Sequence, residues 1–141
     1  MSTAVIVYVL TALGAVVVVL TRLRLGRGAG GAGRLEVGRR LLDLHTGAGV
    51  LALVVWVAFL VAPADTVVGG SGVGILAIGL WWLVALAGLL ILVRWLPSRG
   101  RHASEGRGDT WSEGPGLSIL AHVGMVVGVA VFTWAYLKEY V

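Results

Sequence analysis

Four stretches of this chain contain no Asp, Glu, Lys or Arg: Met1 to Thr21, Leu44 to Ala64, Thr66 to Val93 and Gly114 to Leu137. Each exceeds the ~18 apolar residues that carry a helix across the hydrocarbon core of a bilayer, at about 1.5 Å of rise per residue. Together they hold 94 of the 141 residues, so almost nothing remains for a domain outside the membrane. Overall charge points the same way: 13% of residues are charged, about half the share usual in soluble domains. Backbone polar groups in lipid must be satisfied inside a helix or a closed barrel, and runs of 21 to 28 residues are too long for barrel strands of ~10. The expectation is an all-α membrane protein: one domain of four transmembrane helices over about 3–21, 42–63, 72–94 and 115–137, folded as an up-and-down bundle.

All ten arginines fall in two connecting segments, 22–40 and 95–113 with Arg94 at its edge, while the connection around Pro63 to Gly72 has none. Arg and Lys near span ends stay on the cytoplasmic side, so both Arg-rich loops are expected to face the cytoplasm, with the N- and C-termini outside. Met1-Ser-Thr-Ala carries no positive leader before the apolar run, so the first span reads as an anchor that exports its own N-terminus. Aromatic residues agree with this layout, with Trp95 and Trp111 at the cytoplasmic boundary and Trp134, Tyr136 and Tyr140 at the outer one. The net charge of +4 is too sparse and too close to the spans for a nucleic-acid surface; anionic lipid headgroups account for it. Use of Arg over Lys, with abundant Gly, Ala and Val, fits a GC-rich bacterial genome and hence a multi-pass protein of the bacterial cytoplasmic (inner) membrane.

Cysteine is absent, which removes disulfides, thiolate metal sites and covalent c-type haem. Gly28, Gly30 and Gly33 spell G-x-G-x-x-G, but they follow a membrane helix instead of a strand, so the dinucleotide reading is rejected. Thr110-Trp-Ser-Glu113 before Gly114-Pro115 reads as a capping box for the fourth helix. Gly124/Gly128 and Gly70/Gly74 form G-x-x-x-G pairs suited to close helix approach. Trp81 and Trp82, inside the third span, read as packing residues, with lining of a cofactor as the other reading. Asp43 stands four residues after Arg39, the spacing of a helix-surface ion pair. His102 in the third connection reads as solvated. No carboxylate lies mid-span, which argues against a proton-coupled pump, and no Ser-His-Asp or metalloprotease spacing is present.

The chemistry concentrates on His45 and His122. They lie 5 and 7 residues inside Arg40 and Pro115, about 7 and 10 Å deep by the helical rise, on spans two and four, which run in the same direction. Aligned from these histidines the two spans share Gly47/Gly124, Val50/Val127, Val54/Val131 and Ala58/Ala135, and each carries an aromatic residue fourteen positions on, Phe59 and Tyr136. This pattern has the form of an internal duplication. Two imidazoles at one depth on co-directional helices supply the axial nitrogens that a haem b iron needs, with Gly47 and Gly124 easing close approach and Met125 one turn beyond His122. Here the chain resembles the four-helix core of b-type cytochromes, whose second and fourth helices carry the haem ligands. In that family each ligand helix usually bears two histidines 13 or 14 residues apart. Phe59 and Tyr136 occupy the second positions here, so the resemblance implies one haem, on the cytoplasmic side.

The sequence therefore predicts a small b-type cytochrome or cytochrome subunit, with His45 and His122 ligating the haem iron and Gly47, Gly124 and Met125 beside it, transferring electrons without catalytic activity of its own. The other reading is a cofactor-free accessory or structural subunit of a larger membrane complex, such as a respiratory one. Its partners are the bilayer and other membrane subunits or further copies of itself; a hydrogen bond from each histidine to a neighbouring helix is the structural reading of the pair.

Overall fold

A computed structural model describes residues 2–26, 39–100 and 115–141. The described residues are all helical apart from turns, with four helices and no strand: α1 (Thr3–Gly26), α2 (Arg39–Val61), α3 (Ser71–Gly100) and α4 (Pro115–Leu137). Each contains a segment of 21 to 23 residues that is long and apolar enough to cross a membrane. Three boundaries differ from the sequence expectation by three residues or more, the first helix running on to Gly26 instead of about residue 21. The second helix begins at Arg39 instead of about residue 42, and the third runs on past Pro97 to Gly100. The glycine-rich motif at 28–33, the capping box at 110–113, His102 and Trp111 lie outside the described residues, as does the side chain of Trp95.

α1 borders α2 and α4, and α3 borders the same two helices. Neighbours are antiparallel, as residues paired across the seams show: Tyr8 with Leu60 and Arg22 with Asp43, Gly74 with Phe59 and Gly88 with His45, Ser71 with Tyr136 and Trp82 with Thr133, and Leu10 with Gly128 and Gly14 with Met125. The bundle is thus up-and-down, with α2 and α4 facing one another across its diagonal. Asp43 pairs with Arg22 of α1, where the sequence suggested Arg39 one turn back; both partners are about half exposed, so the pair contributes little to stability.

The turn between α2 and α3 begins at Pro63. The Thr66 hydroxyl donates to the Pro63 carbonyl (2.7 Å) and accepts from the Gly69 N–H (3.1 Å). A side chain at Gly69 would collide with that same carbonyl, which fixes glycine there.

The core at this end of the bundle is aromatic. Trp56 lies 5.6 Å from Phe59 and 5.0 Å from Phe132, Phe59 lies 5.9 Å from Tyr136, and Trp81 lies 5.6 Å from Phe132, between ring centres. Polar atoms of these rings are mostly satisfied. The Trp56 N–H donates to the Thr11 hydroxyl (3.0 Å), which donates to the Val7 carbonyl (2.8 Å). Trp82 donates to Thr133 (3.2 Å) and Tyr136 to the Ser71 carbonyl (2.9 Å). Apolar residues such as Val54, Val61, Val93 and Leu137 are exposed on the outside.

Candidate functional site

Toward the opposite end, the bundle core changes character. His45 on α2 and His122 on α4 are buried, 1% and 7% exposed, with ring centres 6.3 Å apart and planes inclined at 41°. The structure thus brings together the two histidines that the sequence singled out. They meet because each sits about two turns into its helix and the two helices run co-directionally across the diagonal.

His122 is oriented by its own helix. Its Nδ1 lies 2.7 Å from the Ser118 carbonyl, one turn back. A carbonyl only accepts, so Nδ1 carries the proton and the Nε2 lone pair is left free. That Nε2 is buried and has no hydrogen-bond partner, and the same is true of His45 Nδ1. The only other such buried atom among the described residues is Trp81 Nε1, a donor that has no lone pair to offer. A buried polar atom without a partner costs about 1–3 kcal/mol, so two on one ring pair is an arrangement that wants a ligand.

The residue that shapes the site is one the sequence did not single out. Gly88 of α3 stands against both imidazoles: a Cβ placed on it would lie 3.3 Å from His45 Nε2, 3.4 Å from His122 Nε2 and 2.8 Å from His122 Cδ2. The two Nε2 atoms therefore converge on one point at the α3 backbone. Fourteen residues earlier on α3, Gly74 plays the same part for the aromatic pair, with its Cβ position 2.5 Å from Tyr136 and 3.0 Å from Phe59. The duplication read from α2 and α4 thus continues in space as two storeys, His45/His122/Gly88 and Phe59/Tyr136/Gly74. The shared fourteen-residue spacing is the one sequence signal that pointed to Gly88.

The other expected site residues are placed differently. Gly47 and Gly124 are exposed, and a Cβ on either would meet nothing within 4 Å, so neither brings a helix close to the histidines. The Met125 sulfur lies 3.5 Å from a Cβ placed on Gly14, on the side of α1 where Trp81 packs. Between α1 and α4 runs an apolar cleft of about 450 Å³, bordered by Leu13, Val16, Leu20, Leu120, His122 and Gly124. Its rim leucines and Val16 are about half exposed, so it opens on the outer face of the bundle.

Metal–imidazole bonds are about 2.0 Å long, so two imidazoles ligating one ion from opposite sides have centres roughly 6 Å apart. The observed 6.3 Å suits that arrangement. The ring spacing alone leaves room for a shared ligand between the imidazoles, whose unpartnered nitrogens are Nδ1 of His45 and Nε2 of His122. A haem held by both Nε2 atoms lies in the plane that bisects them. The Cβ position of Gly88, nearly equidistant from the two, lies in that plane and no farther than 3.4 Å from their midpoint. Pyrrole rings and their substituents sweep past that radius all round the iron. Glycine carries no Cβ, so this position beside both Nε2 atoms is open, a cradle that any side chain would fill. Among the described residues no group of three or more His, Cys, Asp or Glu gathers to hold a metal, so the pair stands without further protein donors of those types.

Compared with protein-family models, with curated proteins and with solved structures, the chain matches none.

Proposed function

We propose that this chain is a small integral membrane protein whose working part is a metal centre held between His45 and His122, serving as an electron carrier or as the redox subunit of a larger membrane assembly. One observation carries this reading: two buried imidazoles from diagonal helices converge, and each keeps a ring nitrogen with no protein partner. Intramembrane ionisable side chains are rare and mark functional positions, and imidazole is a donor suited to the redox metals iron and copper. The described spans offer no buried carboxylate to pair with the histidines, which favours an electron route over a proton or ion route.

The rest of the proposal follows from charge. The bundle lies in the bacterial cytoplasmic membrane with both Arg-rich connections on the cytoplasmic side, against anionic headgroups. The metal centre is then nearer the cytoplasmic face. Other membrane subunits or further copies of the chain cover α1, whose Val5, Val9, Leu13, Val16 and Val19 face outward.

The test is total iron and copper analysis, with visible spectra, of protein purified in detergent. One equivalent of metal per chain is expected in the wild type and none in His45→Ala or His122→Ala. A wild-type protein that carries neither metal, and takes up neither when offered it, refutes the proposal and leaves the cofactor-free accessory subunit.

A further inference from the structure

We propose that the cleft between α1 and α4 binds a neutral lipid, a single long hydrocarbon chain capped by an uncharged, oxygen-bearing head that sits at Thr21. The proposal does not depend on what the histidine pair holds.

The cleft exists because two glycines of α4 are not used for helix contact. Gly124 and Gly128 have the spacing that brings membrane helices together, yet a Cβ on Gly124 would meet nothing within 4 Å and one on Gly128 only Leu10 Cδ2, at 4.0 Å. Both glycines line the cleft, so the motif leaves a trough in α4 instead of a seam. The lining runs from Leu10 to Thr21 on α1 and from Leu117 to Phe132 on α4, about 16–23 Å by the helical rise. Spread over that length, about 450 Å³ corresponds to a cross-section of roughly 20–30 Å², the width of one hydrocarbon chain. An α-helix is about 10 Å across and does not enter, so a second copy of the chain covers the mouth without filling the interior.

Thr21 is the residue that calls for a head group. It lines the cleft and is 9% exposed. Thr11, Thr46 and Thr133 each donate their hydroxyl to the carbonyl four residues back on their own helix, the usual outlet for a threonine inside a helix. The Thr21 hydroxyl has no hydrogen-bond partner among the described residues, and its oxygen is not one of the fully sealed atoms of the core. A hydroxyl both donates and accepts, so it suits an alcohol or an ester carbonyl. Polar side chains occur only toward this end of the cleft, at Thr21, Ser118 and His122, while the end at Leu10, Val129 and Phe132 is wholly apolar.

Charge selects the head. No lining residue is Asp, Glu, Lys or Arg, and Arg22, next along α1, is engaged by Asp43. A charged head drawn in to Thr21 would lose its hydration without gaining a partner. Thr21 stands two residues before Leu23, where the first membrane-spanning segment ends. The head therefore lies near the membrane boundary with its tail toward the midplane, the orientation that a lipid of that leaflet already has.

The experiment exposes the detergent-solubilised full chain to a monoacylglycerol carrying a diazirine in its acyl chain, with attachment sites mapped by mass spectrometry after illumination. Attachment is expected on cleft residues of α1 and α4, suppressed by excess monoolein and not by the same concentration of anionic phosphatidylglycerol. Thr21→Val should weaken binding of the probe about three- to tenfold, the worth of one hydrogen bond. Gly128→Leu fills the cleft from inside and Gly124→Leu from its exposed rim, at positions where a Cβ has room; each should cut attachment roughly tenfold or more while thermal unfolding stays that of a folded protein. Gly47→Leu, on the open outer face of α2, should change nothing. Attachment spread over all four helices, equal suppression by the anionic lipid, or unchanged attachment in both filled variants overturns the proposal. Metal content of the same samples reports on the histidine pair separately.

Discussion

Replacing Gly88 by alanine tests the geometry of the site with a single methyl group. In a helix, Gly→Ala ordinarily stabilises by about 0.8–1 kcal/mol through backbone entropy. Gly47, on the open outer face of α2, should show that gain, because a Cβ there meets nothing within 4 Å. At Gly88 the new Cβ arrives 2.8 Å from His122 Cδ2 and 3.3 Å from His45 Nε2. Neither ring retreats easily: His122 is tied to Ser118, and both are buried. Forcing an extra carbon into a close-packed core costs about 1–3 kcal/mol, which cancels or outweighs the propensity gain. Gly88→Ala should therefore be less stable than Gly47→Ala by roughly 1–3 kcal/mol, read by thermal or denaturant unfolding in the same detergent. It should also lower metal occupancy, which Gly47→Ala leaves alone. Equal stabilisation by the two substitutions, with unchanged occupancy in both, would show that α3 does not stand against the imidazoles.

Two further predictions rest on separate observations. Thr11→Val keeps the shape of the residue but leaves the Trp56 N–H, which now donates to the Thr11 hydroxyl, without an acceptor in a dry core; a loss of about 1–3 kcal/mol in unfolding free energy is expected, and a change below a few tenths would show that the bond contributes nothing. For orientation, cysteines introduced at Arg27 and Gly106 should stay unlabelled by a membrane-impermeant thiol reagent added outside the cell, whereas one at Val67 should react; the reverse pattern refutes the inside assignment of the Arg-rich connections.

The number and type of helices were legible because exclusion of charge from lipid acts on every residue of a span at once. Boundaries were less so: Arg39 and Arg40 begin α2, since long basic side chains can sit at a membrane edge while their backbone is already helical. The histidine pair was legible from depth and direction, both of which follow from counting residues along a helix. Its surroundings were not. Gly47 and Gly124 looked relevant because they lie two residues from the histidines, but two residues are about 200° of helical rotation, which turns them away from the pair. Gly88 belongs to a different helix, in a chain with 22 glycines, and its fourteen-residue spacing from Gly74 gains meaning only once α3 packs against α2 and α4. Asp43 illustrates the same limit, as the local partner at Arg39 gives way to Arg22 across a seam.

The two storeys of the bundle supply the strongest argument that the histidines are there for a ligand. Both have the same construction, with rings from α2 and α4 meeting over a glycine of α3. In the Phe59/Tyr136 storey, aromatic rings fill the space and the one polar atom, the Tyr136 hydroxyl, donates to the Ser71 carbonyl. That storey shows that this scaffold closes well without imidazoles. Phenylalanines at 45 and 122 would close the other storey in the same way, with no unpartnered nitrogen to desolvate. Imidazoles there leave two such atoms, a cost of about 1–3 kcal/mol for each with no gain in packing. An arrangement that is more costly than its neighbour in an otherwise equivalent setting is explained when something binds at the unpartnered nitrogens, Nδ1 of His45 and Nε2 of His122. If histidine-to-phenylalanine substitution at both positions lowered stability instead of raising it in the metal-free protein, the imidazoles would have a structural role of their own and this reasoning would fail.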